Sequence, residues 1–224
     1  MKHLPKLFIF DLDGVITDTA EFHYLAWKKL GEKLGVSIDR NFNEQLKGIS
    51  RMESLERILA LDPSLSLSEE EKEILATDKN EYYKQLIETV NEEQTLPGVE
   101  VLLQTIKENN IKIALGSASK NASMVLEKLG LTNYFDYIVD AAKVKKGKPD
   151  PETFTTAADA LSIAYPDCVG IEDAAAGVHA INDANMFSVG VGSMDHLAKA
   201  NFVVHDTSKL DFEEIVQHFS NWKK

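Results

Sequence analysis

The 224 residues carry 24 Lys and Arg against 36 Asp and Glu, a formal charge of −12, with 44% hydrophobic and 27% charged residues. This globular composition excludes wholesale disorder, and the acidic balance argues against broad binding to nucleic acid or an anionic membrane. A single cysteine, Cys168, excludes an internal disulfide and any multi-cysteine metal site.

Taken in chain order, Met1 to Pro5 is not expected to act as a signal peptide, because the apolar run after it stops at Asp11. No apolar run approaches the ~20 residues of a membrane helix. Lys6-Leu7-Phe8-Ile9-Phe10 predicts a fully buried, parallel strand. Residues 18 to about 90 then show no convincing strand. Phe22, Ala26, Leu30 and Leu34 recur every fourth residue, as on one helix face. Ser68-Glu69-Glu70-Glu71 reads as a capping box opening a helix that runs to Val90, with Leu75, Tyr82 and Leu86 on one side. Thr95-Leu96-Pro97-Gly98 marks the return to alternating elements. Val99, Leu102, Leu103 and Ile106 form a helical stripe, and Val125, Leu126 and Leu129 a shorter one. Further strands are predicted at Ile111 to Leu115, Tyr137 to Val139, Cys168 to Ile171 and Phe187 to Val191, with a short sixth at Phe202-Val203-Val204. Asp150-Pro151 reads as an N-cap followed by proline at the first helical position. Strands alternating with helices predict an α/β parallel sheet covered on both faces. The all-helical stretch predicts an insert over the carboxyl end of the first strand, where open α/β sheets bind ligands.

Several strand ends carry chemistry-bearing residues. Asp11-Leu12-Asp13-Gly14 places two carboxylates where both can address one ligand if the backbone turns at Gly14. Such a pair favours a cation, and Mg²⁺ prefers oxygen ligands. A solvated turn is the bland alternative. Ser117 closes the second strand, where its hydroxyl and nearby N–H groups suit phosphate oxygens. A helix N-cap is the competing reading and suits Ser119 better. Lys148 precedes a helix start and could equally be a solvated charge. Glu172-Asp173 ends another buried strand.

The order Asp-x-Asp, Ser, Lys, Glu-Asp resembles the haloacid dehalogenase (HAD) superfamily of phosphoryl-transfer enzymes over almost the whole chain. That resemblance implies a HAD-like Rossmannoid parallel sheet core, residues 1–17 and 91–224, with an inserted all-helical cap domain, residues 18–90. It implies Asp11 as the nucleophile that becomes an aspartyl phosphate and Asp13 as general acid/base. Ser117 would bind phosphate, and Lys148 would bridge phosphate and nucleophile, with Lys145 and Lys146 as competitors. Asp11, Asp13 (through its carbonyl) and Asp173 would hold one Mg²⁺, with Glu172 binding through water. Mg²⁺ and lysine offset the repulsion between a carboxylate and a phosphate dianion.

Longer matches resemble the β-phosphoglucomutase family within that superfamily. They lie at Phe8 to His23, Phe42 to Arg51, Ser117 to Asn121 and the acidic pair at 172–173. This likeness implies interconversion of β-D-glucose 1-phosphate and D-glucose 6-phosphate through β-D-glucose 1,6-bisphosphate, which also primes the enzyme. A second phosphate site is then needed. Arg51 suits it, because guanidinium grips phosphate bidentately; a surface ion pair with Glu53 or Glu56 is the alternative. Lys120 and Asn121 would assist. His23, Trp27, Lys47, Gly48, Lys79, Ala118 and Ser119 complete the implied substrate contacts, although Trp27 also reads as core and Lys79 as a solvated face. His179, His205 and Cys168 carry no motif. A sugar-phosphate phosphatase on the same fold is the first alternative and a noncatalytic sugar-phosphate sensor the second. The expected partners are small sugar phosphates, with neither nucleic acid nor membrane, and a cytoplasmic monomer is expected.

Overall fold

The computed structural model describes residues 3–224; Met1 and Lys2, within the segment read as lacking a leader, lie outside the described residues. Six parallel strands form one sheet: β1 (Leu7–Phe10), β2 (Lys112–Leu115), β3 (Tyr137–Ile138), β4 (Cys168–Glu172), β5 (Phe187–Val191) and β6 (Phe202–Val204). Their spatial order is β3-β2-β1-β4-β5-β6. The first strand is therefore central, flanked by β2 and β4. Its apolar run is continuous because both faces are covered. Phe8 and Phe10 pack with the layer of α5 (Val99–Glu108), α6 (Ala122–Lys128) and α9 (Phe212–Trp222). Leu7 and Ile9 pack with α7 (Glu152–Ala160) and α8 (Ala175–Asp183) on the other face.

Between β1 and α5 lie four helices: α1 (Ala20–Leu34), α2 (Arg40–Glu44), α3 (Arg51–Leu59) and α4 (Glu69–Ile87). They build their own apolar cluster around Trp27, Leu30, Leu55, Ile58 and Leu75. The capping box forms: Ser68 Oγ accepts from the Glu71 N–H at 3.3 Å, and Glu71 Oε2 accepts from the Ser68 N–H at 2.8 Å. The two crossings between insert and sheet run side by side. The Leu96 N–H donates to the Ile16 carbonyl at 2.9 Å, and Thr17 Oγ1 donates to the Gln94 carbonyl at 2.8 Å.

Three expectations shift. The last insert helix ends at Ile87, and its buried face is Leu75, Ala76, Lys79, Asn80, Tyr83 and Ile87; Tyr82 and Leu86 are only half-buried. This helix lies between the insert's core and the sheet's, since Tyr83 and Ile87 join the larger cluster. Its inward face therefore includes polar residues that apolar periodicity does not register. Second, α7 begins at Glu152 with Pro151 as the cap residue, although Asp150 Oδ1 does accept the Glu152 N–H at 3.0 Å. Third, the cap residue of α6 is Asn121 rather than Ser119; Ser119 Oγ accepts the Asn121 N–H at 3.2 Å instead.

Candidate active site

The carboxyl ends of β1, β2 and β4 meet at the sheet's centre. Asp11 follows β1 directly, and its N–H donates to the Ile171 carbonyl at 2.9 Å, which locks it beside β4. Gly14 then turns the chain with φ +74°, and a methyl group there would collide with the Asp173 carboxylate. Asp13 is thereby turned back towards the site. Lys148 is fully buried, its Nζ 2.6 Å from Asp11 Oδ1 and 2.7 Å from Glu172 Oε2. Glu172 Oε1 accepts from the Ala174 N–H at 3.1 Å. Lys145 and Lys146 instead offer their backbone N–H groups to Glu152, at 3.0 and 2.8 Å. Lys148 is therefore the lysine that meets Asp11.

Carboxylate oxygens of Asp11, Glu172 and Asp173 lie within 4.8 Å of one another. One ammonium among two buried acids and a half-buried third leaves excess negative charge. Burial and Glu172 hold Asp11 up at about 7 despite Lys148. Burial, Glu172 and Asp11 raise Asp173 well above the usual carboxylate range. Lys148 itself is raised: burial opposes its charge, but Asp11 and Glu172 outweigh that. The all-oxygen donor set and its uncompensated charge suit a hard divalent cation such as Mg²⁺.

Asp13 points into the cleft with about a quarter of its side chain exposed, 26%. Burial, then Asp11, push its carboxyl up to about 7. Thr19 donates its hydroxyl to Asp13 Oδ1, and Tyr83 OH lies 3.0 Å from the same hydroxyl. His23 Nε2 is 3.8 Å from Asp13 Oδ2, its ring stacked on Tyr83 with centroids 4.0 Å apart. Burial, Lys79 and Arg51 keep the His23 imidazole neutral, well below its ordinary range. Lys79 Nζ meets His23 Nδ1 at 2.8 Å, which leaves the ring hydrogen on Nε2, facing Asp13. Lys79 is buried, not solvated, and burial and Arg51 bring its ammonium down to about 7.

Asp11, Asp13 and Asp173 floor one side of a cleft of about 540 Å³ between sheet and insert. Its walls include His23, Trp27, Lys47, Gly48, Arg51, Lys79 and the run Ser117 to Asn121. Trp27 is both core and wall: it is buried, and Lys79 Nζ sits 4.5 Å over its ring. Gly48 has φ +72° and faces Ala174 across the cleft. Partial burial works against the Lys47 charge, but Glu44 at 2.9 Å and the more distant Asp173 raise its ammonium overall. Ser117 is buried and accepts the Ser119 N–H at 3.1 Å. Arg51 does not pair with Glu53 or Glu56, which bind Arg57 and Lys72 at 2.7 and 2.8 Å. Its Nη2 donates to Asn80 Oδ1 at 2.8 Å.

The sequence matches the haloacid dehalogenase-like hydrolase family over residues 5–185. The chain belongs to that family. Its family match takes in both the helical insert and the acidic floor. The chain is 46% identical to the β-phosphoglucomutase of Bacillus subtilis (strain 168) over 219 residues, 97% of each chain. The crystal structure of β-phosphoglucomutase from Clostridium difficile matches with a TM-score of 0.96 and 55% identity, over 98% of this chain and 99% of that one. A fructose-1-phosphate phosphatase of Escherichia coli is 31% identical over 183 residues, 82% of this chain and 94% of its own.

Tyr83 and Asn80 join the site without any motif to announce them, and Thr19 joins it from inside the Phe8 to His23 match without having been singled out. Tyr83 stands one helical turn from Lys79, which was the available signal. For Thr19 the signal was its place in that match; Asn80 offers none.

The raised carboxyls predict a pH effect. Without a cation, Asp11 and Asp13 bind protons more tightly folded than unfolded, so the protein should lose stability as pH rises from about 5 towards about 7. Mg²⁺ at 100 times its Kd should restore about 2.7 kcal/mol at neutral pH. Calorimetric melts in chelator and in Mg²⁺ check this; a melting temperature that climbs through that window in chelator contradicts it.

Proposed function

We propose that this chain is a Mg²⁺-dependent phosphomutase that interconverts β-D-glucose 1-phosphate and D-glucose 6-phosphate. Similarity to the Bacillus subtilis enzyme over 97% of both chains carries this reading, because it includes the insert that walls the substrate side. The site supports it at both ends. Asp11, already carrying a phosphoryl group taken from the primer, gives it to the free hydroxyl of the sugar phosphate, whose proton passes to Asp13; the P–O bond to Asp11 breaks and β-D-glucose 1,6-bisphosphate forms. Lys148 holds Asp11 Oδ1 in place and offsets charge. Bound Mg²⁺, held by Asp11, Asp173 and the Asp13 carbonyl with Glu172 behind, would neutralise charge on the transferring group. Ser117 donates to a phosphate oxygen. Thr19, Tyr83 and the neutral His23 keep the Asp13 carboxyl aimed at the sugar oxygen. Arg51, with Asn121 and Lys120, grips the phosphate that is not transferred. After the bisphosphate reorients, Asp11 attacks its other phosphorus, and that sugar oxygen leaves with the proton from Asp13, which restores the aspartyl phosphate and releases the isomerised monophosphate.

In this reading residues 18–90 act as a cap domain on a core of residues 1–17 and 91–224. Closure excludes water, so that a sugar hydroxyl rather than water receives the phosphoryl group. The enzyme works in the cytoplasm as a monomer, without nucleic acid or membrane partners.

The deciding assay follows glucose 6-phosphate against free phosphate, from β-glucose 1-phosphate, Mg²⁺ and a trace of bisphosphate. Glucose 6-phosphate should dominate. Free phosphate in excess makes the chain a phosphatase, and tight binding without turnover makes it a sensor.

A further inference from the structure

One buried amide sits where insert and sheet meet at the distal end of the cleft. Asn80, on α4, is 9% exposed and outside every motif. Its Oδ1 accepts two hydrogen bonds: from Arg51 Nη2 on α3 at 2.8 Å and from Asn121 Nδ2 at the start of α6 at 2.8 Å. Arg51 belongs to the insert and Asn121 to the sheet domain. One oxygen thus ties together the two donors that the proposed mutase uses on its distal phosphate.

The identity of that acceptor matters. A half-buried guanidinium normally finds a carboxylate. Here Glu53 hydrogen-bonds Arg57 at 2.7 Å, Glu56 Lys72 at 2.8 Å and Glu81 Lys84 at 2.8 Å, so that of these acids only Glu81 acts on Arg51, and through space. A neutral amide orients Arg51 without cancelling its charge. The full positive charge then remains for an anion, and the other guanidinium nitrogens remain free of Asn80. A carboxylate at position 80 would keep both hydrogen bonds and yet neutralise the site.

We infer that Asn80 is a positioning residue that aligns Arg51 and Asn121 for the non-transferring phosphate, and that its neutrality sets affinity for doubly phosphorylated or distally phosphorylated sugars. The inference rests on the phosphomutase reading and adds a specificity determinant to it.

Asn80→Asp separates this from a packing role, because the isosteric carboxylate preserves shape and acceptor. Asn80→Ala removes both. Wild type and both variants are compared by calorimetric binding of glucose 6-phosphate, by KM and kcat in the mutase assay, and by hydrolysis of acetyl phosphate, which has no distal phosphate. Asn80→Asp should weaken glucose 6-phosphate binding and raise KM by about tenfold relative to its effect on acetyl phosphate hydrolysis, the scale of one charge-assisted contact. Its melting temperature should match or exceed that of wild type. Wild-type binding by Asn80→Asp alongside loss in Asn80→Ala would overturn the charge argument, as would equal losses on both substrates. If wild type hydrolyses acetyl phosphate but does not bind glucose 6-phosphate, the phosphomutase reading itself fails and this inference with it.

Discussion

Asp11→Asn is expected to abolish turnover, by at least about ten-thousand-fold, while the fold survives. Asparagine keeps the side chain's shape beside Lys148 and the Ile171 carbonyl contact is made by the backbone. It cannot accept a phosphoryl group to give a stable acyl phosphate. It also removes one of three clustered acids, so in chelator at neutral pH the variant should melt no lower than wild type. Rapid-quench assays give the rate. Mass spectrometry of enzyme trapped during turnover should find one added phosphoryl group, at Asp11 in wild type and nowhere in the variant. Retention of a tenth of the activity, or an adduct at another residue, would sink the aspartyl-phosphate mechanism.

Lys148→Met should cost about 10² to 10³ in kcat and, separately, stability. The loss of stability comes from stranding Asp11 and Glu172 without their shared ammonium, a change worth about 3–5 kcal/mol for a buried pair. Asp11 relieves part of this by taking up a proton. Its folded pKa, already raised to about 7, rises further above the unfolded one, so the deficit should be smallest at about pH 5 and grow towards neutral pH. Mg²⁺ should recover part of the stability, since a cation replaces a cation, but not the lysine's contact with nucleophile and phosphate. Melts of wild type and variant across that range, with and without Mg²⁺, test the sign. A deficit independent of pH would mean that Lys148 acts through packing, for instance on the Phe154 ring 5.1 Å away.

The sheet and its reactive edge were legible because their signals are local. A strand buried on both faces is an unbroken apolar run, and a run ending in Asp-x-Asp-Gly or Glu-Asp shows where the sheet turns to chemistry. All six strands fall within a residue or two of the positions read from the sequence. The inner face of α4 was less legible. Leu75, Tyr82 and Leu86 look like the buried stripe, yet the helix turns Lys79, Asn80 and Tyr83 inward because one side of it borders a polar cleft. Hydrophobic periodicity measures contact with apolar neighbours, so a helix facing half core and half ligand site misreports its orientation. The roles of Thr19, inside a match, and Asn80, outside every match, were hidden for another reason. Their partners are set by tertiary folding: Tyr83 lies 64 positions from Thr19, and Asn121 lies 41 from Asn80.

The hydrogen bonds joining Ile16 to Leu96 and Thr17 to Gln94 mean that the helical insert leaves and re-enters the sheet at one suture. Asp11 and Asp13 stand upstream of that seam, and Ser117, Lys148, Glu172 and Asp173 lie downstream of it. A genetic exchange of everything between the two sides of the seam would replace the cleft walls of residues 18–90, with Thr19, His23 and Tyr83 around Asp13 among them, without displacing any of those six groups. One fold can in this way inherit its chemistry while trading its appetite, and the join that permits the trade costs only a few backbone contacts.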